Sequence, residues 1–256
     1  MLWLAACTPM PDSIPDEPGR FAEASEIDRL LVAANPDNLL ALQFFASSLD
    51  ALADPFCPEV DDSTELVELV GGCTDMYGAQ WHGTAELSSA DRRELSADGF
   101  GVTLPEAAVL QGTEQSQAIT WILDGRYAWW SEGSDQLFEA KLSLDYTDER
   151  DAVLVWIDVE GAVGVSSGFP TLDSAIGTVG LEHWGTAELS VDQVASGWFS
   201  NCPYPSLGTV TLAGANTAAM SLGDPDPTCA ACPTTTIEGA EVELCEPWFH
   251  VQLPGY

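Results

Sequence analysis

The stretch Glu139-Ala140-Lys141-Leu142-Ser143-Leu144-Asp145-Tyr146 decides the fold. Ala140, Leu142, Leu144 and Tyr146 are apolar, and the residues between them are charged or small and polar. An alternation of period two sends the two sets to opposite faces of an extended chain, so the segment reads as a strand with one dry and one wet face. Working outward, Asp148 to Asp151 makes a turn, and Ala152 to Val159 is almost continuously apolar, as a central strand requires. Glu160-Gly161 then turns the chain into Ala162 to Ser166. On the N-terminal side, Gln117 to Leu123 and Arg126 to Glu132 flank Asp124-Gly125, a dipeptide that favours a two-residue hairpin turn. An antiparallel meander is therefore expected. Further strands are expected at 208–213, 217–222, 234–238 and 241–245, punctuated by Gly and Pro.

Ahead of the strands the period is helical. Residues 8–20 contain Pro9, Pro11, Pro15, Pro18 and Gly19 and read as a stiff, extended tether. Ser25 to Val32 is a short helix candidate in a helical segment spanning 21–55. Within it, Asn35 and Pro36 open a second helix in which Leu39, Leu42, Phe45, Leu49 and Leu52 recur at helical spacing until Pro55 stops it. Residues 56–256 form the β domain, so the fold class is mainly β: antiparallel sheets, meander- or sandwich-like, with a short N-terminal helical segment. Gly83-Thr84-Ala85-Glu86-Leu87-Ser88 recurs as Gly185-Thr186-Ala187-Glu188-Leu189-Ser190. Each copy follows a Trp/His pair, Trp81-His82 in one and His183-Trp184 in the other, so 78–88 and 180–190 read as two related β units.

Composition excludes several classes of function. The chain has 256 residues, 41 acidic against 7 Lys+Arg, and a formal net charge of −34. Phosphate binding needs clustered cations, which excludes a nucleic-acid partner. Adsorption to anionic lipid through a polybasic segment is excluded on the same ground. With 46% hydrophobic residues and 9 Trp, the chain is not a disordered one. No H-E-x-x-H is present; the single G-x-S-x-G string, Gly164-Val165-Ser166-Ser167-Gly168, continues the expected strand Ala162 to Ser166 and does not open a helix as a nucleophile elbow does, and His82 and His183 belong to the repeat, so no catalytic residue is assigned. A hydrolase stays in view only because the geometry of a carboxylate pair is tertiary. No cofactor is required. Calcium is the one ion the acidic turns would suit, at Asp145, Asp148, Glu149 and Asp151, with Asp61-Asp62 and Asp224/Asp226 as lesser clusters. Trp121, Trp129, Trp130 and Trp156 lie on neighbouring expected strands and offer a binding platform for a glycan or an envelope protein. Of the consecutive pair Trp129 and Trp130, one must face away from the other, either open to a ligand or covered by the N-terminal helix or a second sheet.

The first seven residues, Met1-Leu2-Trp3-Leu4-Ala5-Ala6-Cys7, end in Leu4-Ala5-Ala6-Cys7, which resembles the lipobox of bacterial lipoproteins. That resemblance implies cleavage before Cys7 and a lipid anchor on its new N-terminus, with 1–7 as the remnant of a signal peptide. Its expected address is the cell envelope of a Gram-negative bacterium, anchored at the outer membrane and facing periplasm or exterior; Thr8 is not the aspartate of inner-membrane retention. The six other cysteines, Cys57, Cys73, Cys202, Cys229, Cys232 and Cys245, suit disulfides in an oxidising compartment. Clustering pairs Cys57 with Cys73 and leaves the four C-terminal ones among themselves. A zinc site or a redox role for Cys229-Ala230-Ala231-Cys232 stands as the alternative. Cys202, Gly208 to Leu212, Gly214 to Ala218, Cys229, Cys232 and Cys245 resemble the C-terminal part of cysteine-bearing lipoproteins of Gram-negative bacteria, a group with no assigned activity. The functional expectation is a non-enzymatic envelope lipoprotein, structural or adhesive, with a carbohydrate- or calcium-dependent binding module as the alternative.

Overall fold

The computed structural model describes residues 17–34, 39, 57–61, 66–75, 78–88, 91–104, 109–110, 113–114, 118–147, 152–166, 169–195, 207–223 and 232–244. One helix, α1 (Ala24–Ala34), precedes the strands β1 (Glu59–Asp61), β2 (Leu66–Val70), β3 (Gln80–Ser88) and β4 (Arg92–Leu104). A two-stranded ribbon of β5 (Val109–Leu110) and β6 (Thr113–Glu114) stands apart. Four long strands follow: β7 (Ile119–Glu132), β8 (Asp135–Thr147), β9 (Ala152–Ser166) and β10 (Phe169–Leu181). The series ends with β11 (Gly185–Ala195), β12 (Thr209–Ala213), β13 (Thr217–Ser221), β14 (Thr234–Ile237) and β15 (Ala240–Val242).

All strands except β5 and β6 join one 13-stranded antiparallel sheet in chain order, so the protein is mainly β and its sheet is a meander rather than a two-sheet sandwich. Its two edges are the three-residue strands β1 and β15, and short edges offer little backbone for a foreign strand to pair with. One face is dry. Val102, Trp121, Tyr146, Val153 and Val179 all point to it and are less than 7% exposed. The inward residues join those of α1 in a single apolar core. Ile27, Leu30 and Leu31 of α1 lie at i, i+3 and i+4, are at most 1% exposed, and pack over β8, β9 and β10. Each contributes roughly 1.5–3 kcal/mol by leaving water. Glu26 reaches back to the backbone N–H of Glu23 at 3.0 Å and satisfies one of the free donors of the first turn. The second helix expected from Asn35 onward lies outside the described residues, except for Leu39, which is buried in the same core.

Two expected turns are instead parts of strands. Asp124-Gly125 lies in the middle of β7, which pairs continuously with β8 from Thr120 to Glu132. Ile119, Trp121, Leu123, Tyr127 and Trp129 keep one unbroken inward parity across it, which a hairpin there would have interrupted. Gly125 serves a close approach: a Cβ at this position would sit 2.4 Å from the Lys141 carbonyl oxygen. The Asp124 carboxylate accepts from the Gly99 N–H at 2.7 Å, across a bulge in β4. The actual turn comes at Gly133, with φ of +66°. Glu160-Gly161 likewise runs straight through β9, and a Cβ at Gly161 would meet the Ser174 carbonyl oxygen at 2.3 Å and the Phe138 ring at 2.7 Å. The expected turn at Asp148 to Asp151 lies outside the described residues, as do Asp62, Asp224 and Asp226.

Cys57 and Cys73 form a disulfide with Cα atoms 5.8 Å apart, joining the approach to β1 with the exit from β2. Cys232 is disulfide-bonded too. Cys7, Cys202, Cys229 and Cys245 lie outside the described residues.

The repeated hexapeptides occupy matching strand positions in β3 and β11. Ala85 and Leu87 face the core, as do Ala187 and Leu189, while Glu86 and Glu188 face water. The leading glycine has one reason in both copies: a Cβ on Gly83 would lie 2.1 Å from the Gly99 carbonyl oxygen, and one on Gly185 would lie 2.4 Å from that of Glu17. Both also have positive φ, +58° and +118°.

Candidate functional site

The wet face of the sheet carries a charge network built by strand register. Arg126, Lys141 and Asp158 stand opposite one another on β7, β8 and β9. One row further along, Ala128, Glu139 and Glu160 do the same. Arg92 and Trp130 form the next pair, between β4 and β7. Residues two apart on a strand share a face, so these side chains converge. Glu139 is gripped by Arg92 Nη2, with Arg126 Nη2 at 3.2 Å and Lys141 Nζ at 3.6 Å. Lys141 also reaches Asp158 at 3.4 Å. The Arg92 guanidinium lies 4.2 Å from the centre of the Trp130 ring, a cation–π stack. Three of the seven cations in the chain thus meet on one carboxylate. Desolvation pushes the Glu139 pKa up, but the Arg92 hydrogen bond and the charges of Arg126, Arg92 and Lys141 outweigh it and hold it below the ordinary value.

A contrasting acidic group lies two rows away. Asp124 pairs with Ser143 in the register of β7 and β8, and Asp145 occupies the adjoining outward position. Desolvation raises the pKa of both; Asp98 adds to it at Asp124 against the Gly99 hydrogen bond, and Glu182 and Asp124 add to it at Asp145. The calcium cluster is not assembled by the described residues: Asp148, Glu149 and Asp151 lie outside them. Among the described residues, no group of three or more His, Cys, Asp or Glu side chains is disposed to hold a metal ion.

The four-tryptophan platform needs correction. Trp121 and Trp129 point into the core, 0% and 7% exposed, because odd positions of β7 face inward. Trp156 has outward parity yet is only 6% exposed. Trp130 alone of the four keeps an accessible surface. The polar partners around it were not singled out by sequence, although the lone lysine of the chain, Lys141, on the wet face of the deciding strand was a visible signal.

Residues 17–20, the end of the expected tether, are stitched to the sheet together with Phe21. Beyond the end of β12, the first residues of β11 lack a partner on that side, and Pro18 fills the gap as a parallel bridge to Thr186. Gly19 N donates to Thr186 O and Thr186 N to Glu17 O, both at 2.9 Å, and Ala215 N donates to Gly19 O at 2.7 Å. Trp184 Nε1 donates to Arg20 O at 3.1 Å, and its ring lies against Gly19, where a Cβ would come within 2.3 Å. The rings of Trp184 and Phe21 also pack at a tilt of 49°, with centroids 4.8 Å apart. His82, of the other repeat, hydrogen-bonds Thr103 at 2.8 Å, whereas His183 occupies a turn with φ of +63°.

Comparison with protein-family models, curated proteins and solved structures finds no match to this chain.

Proposed function

We propose that the chain is a non-enzymatic envelope protein of a Gram-negative bacterium, held to the outer membrane by a lipid on Cys7 and presenting the wet face of its sheet to the surroundings. The observation that carries this reading is the stitching of residues 17–21 to β11 and to the turn between β12 and β13. A pull on the chain upstream of Glu17 is then borne by hydrogen bonds to the sheet before it reaches α1, the attachment a tethered domain needs. The disulfides at Cys57–Cys73 and at Cys232 suit an oxidising compartment outside the cytoplasm. The test is incorporation of labelled palmitate in a Gram-negative host, with the chain expressed behind a complete signal sequence. Labelling of the natural chain and none of Cys7→Ser supports the reading; equal labelling of the two, or none of either, removes it.

A second reading, a glycan-binding module, is favoured by one observation. Trp130 is the outward member of the Trp129–Trp130 pair, and the Arg92 guanidinium stacked on it also reaches Glu139, on which Arg126 and Lys141 converge. Titration with oligosaccharides, read by Trp fluorescence, tests it; no response to any sugar removes it. Calcium dependence is tested in the same cell and is removed if calcium changes neither fluorescence nor melting temperature.

A further inference from the structure

We infer that the face around Glu139 is a site for an acidic glycan, with the Glu139 carboxylate occupying, in the free protein, the place of a uronate carboxylate of the ligand. The inference rests on the glycan-binding reading of Trp130 and names its ligand class. Arg92 and Arg126 already hold a carboxylate between them, so a carboxylate is shown to fit. Guanidinium forks match planar carboxylates in two-point hydrogen bonding, which a neutral sugar cannot use. Trp130 holds the Arg92 guanidinium against its ring at 4.2 Å and so fixes one of these two forks in place.

The other charges confine the approach. Glu160 stands opposite Glu139, and Glu94 lies in the same row on β4, so an anion is repelled from those sides and admitted along Arg92, Trp130 and Arg126. Asp158, paired with Lys141 at 3.4 Å, closes a third side, whereas acids of the −34 chain more than about 8 Å away are largely screened at physiological ionic strength.

The test is calorimetric titration of the folded chain with oligogalacturonate, with dextran sulfate and with neutral dextran. Four variants are compared: Glu139→Gln, Arg126→Gln, Trp130→Ala and, as a charge control on α1, Arg29→Gln. Circular dichroism and melting temperature verify that each is folded. Glu139→Gln keeps the shape of the side chain but removes its competing negative charge, so it is expected to tighten oligogalacturonate binding about tenfold. Arg126→Gln and Trp130→Ala are expected to weaken it by about as much, and Arg29→Gln to leave it unchanged. No oligogalacturonate binding by either the natural chain or Glu139→Gln overturns the inference, as does weakening by Glu139→Gln with the fold intact. Dextran sulfate binding that ignores Trp130→Ala and falls equally with Arg29→Gln shows unspecific polyanion attraction and overturns it too. If neutral dextran binds through Trp130 and the acidic sugar does not, this inference falls while the glycan reading stands. If no sugar binds, both fall.

Discussion

Asn216 holds Phe21 by two reciprocal hydrogen bonds: its Oδ1 accepts from Phe21 N at 2.7 Å and its Nδ2 donates to Phe21 O at 2.8 Å. The two residues are 195 positions apart, so one amide side chain closes the contact between the N-terminal segment and the turn between β12 and β13. Both are buried. Asn216→Ala leaves a backbone N–H and a C=O without partners in the interior, which costs roughly 1–3 kcal/mol for each group. The expected result is a lower urea midpoint with an unchanged slope, together with faster proteolysis near residues 17–23. An Asn216→Ala protein with the natural midpoint would show that the segment is not held there.

Glycines divide by what a methyl group would meet. Gly83→Ala must adopt φ of +58° and also drive its Cβ into the Gly99 carbonyl, 2.1 Å away. Gly133→Ala must adopt φ of +66° but meets nothing within 4 Å. The turn variant should therefore cost about 1–2 kcal/mol, the strain of the left-handed region alone. Gly83→Ala should cost clearly more, because the bulge it faces has to move. Chemical denaturation of the two variants side by side checks the order, and equal losses would contradict the close approach of Gly83 and Gly99.

Trp129 and Trp130 are neighbours in sequence with opposite roles. Trp129 is 7% exposed and lies 6.1 Å from the Tyr127 ring, which itself stacks on Phe138 at 5.8 Å. Trp129→Ala should cost about 3–5 kcal/mol through the cavity it leaves in the core. Trp130→Ala removes only a partly exposed ring and its stack on Arg92, and the loss should stay near 1 kcal/mol. Stability curves of the two variants decide, and comparable losses would mean that the inward and outward assignments are wrong.

These contrasts show which parts of the molecule were legible beforehand. The alternation at Ala140, Leu142, Leu144 and Tyr146 gave the dry face of β8 directly, because period two is a property of the extended chain itself. The first helix and the strands at 209–213, 217–221 and 234–237 followed from similar local patterns. Asp124-Gly125 and Glu160-Gly161 misled because turn preference is local, whereas these glycines answer to tertiary neighbours, the Lys141 carbonyl and the Phe138 ring. Pro18 and Gly19 read as tether for the same reason: nothing in their sequence tells of Trp184 and Thr186, more than 160 positions away. The Glu139 network depends on the relative register of β4, β7 and β8, which no single strand encodes.

Acid titration separates the two charge groups of the wet face by sign. Asp124 and Asp145 have pKa values raised above 3.8 in the folded chain, so as pH falls they take up protons sooner in the folded state than in the unfolded one. Acidification from pH 7 through their raised pKa values therefore stabilises, and the gain is complete below 3.8. Glu139 is the opposite case. Its folded pKa lies below 4.5, so its contribution is fully present above 4.5 and is lost as pH falls through the folded value. The melting temperature should rise on mild acidification and turn down below about 4.5, where the grip of Arg92, Arg126 and Lys141 loosens. Asp145→Asn should flatten the rise, and Glu139→Gln should remove the part of the fall that this network causes. Added salt supplies the independent arm. Screening relieves the self-repulsion of a −34 chain and should raise the melting temperature at pH 7, while weakening the Glu139 pairs by the smaller amount expected of exposed ion pairs. A melting temperature that falls with salt at pH 7 would mean that the paired charges, not the unpaired excess, dominate the electrostatics of this fold.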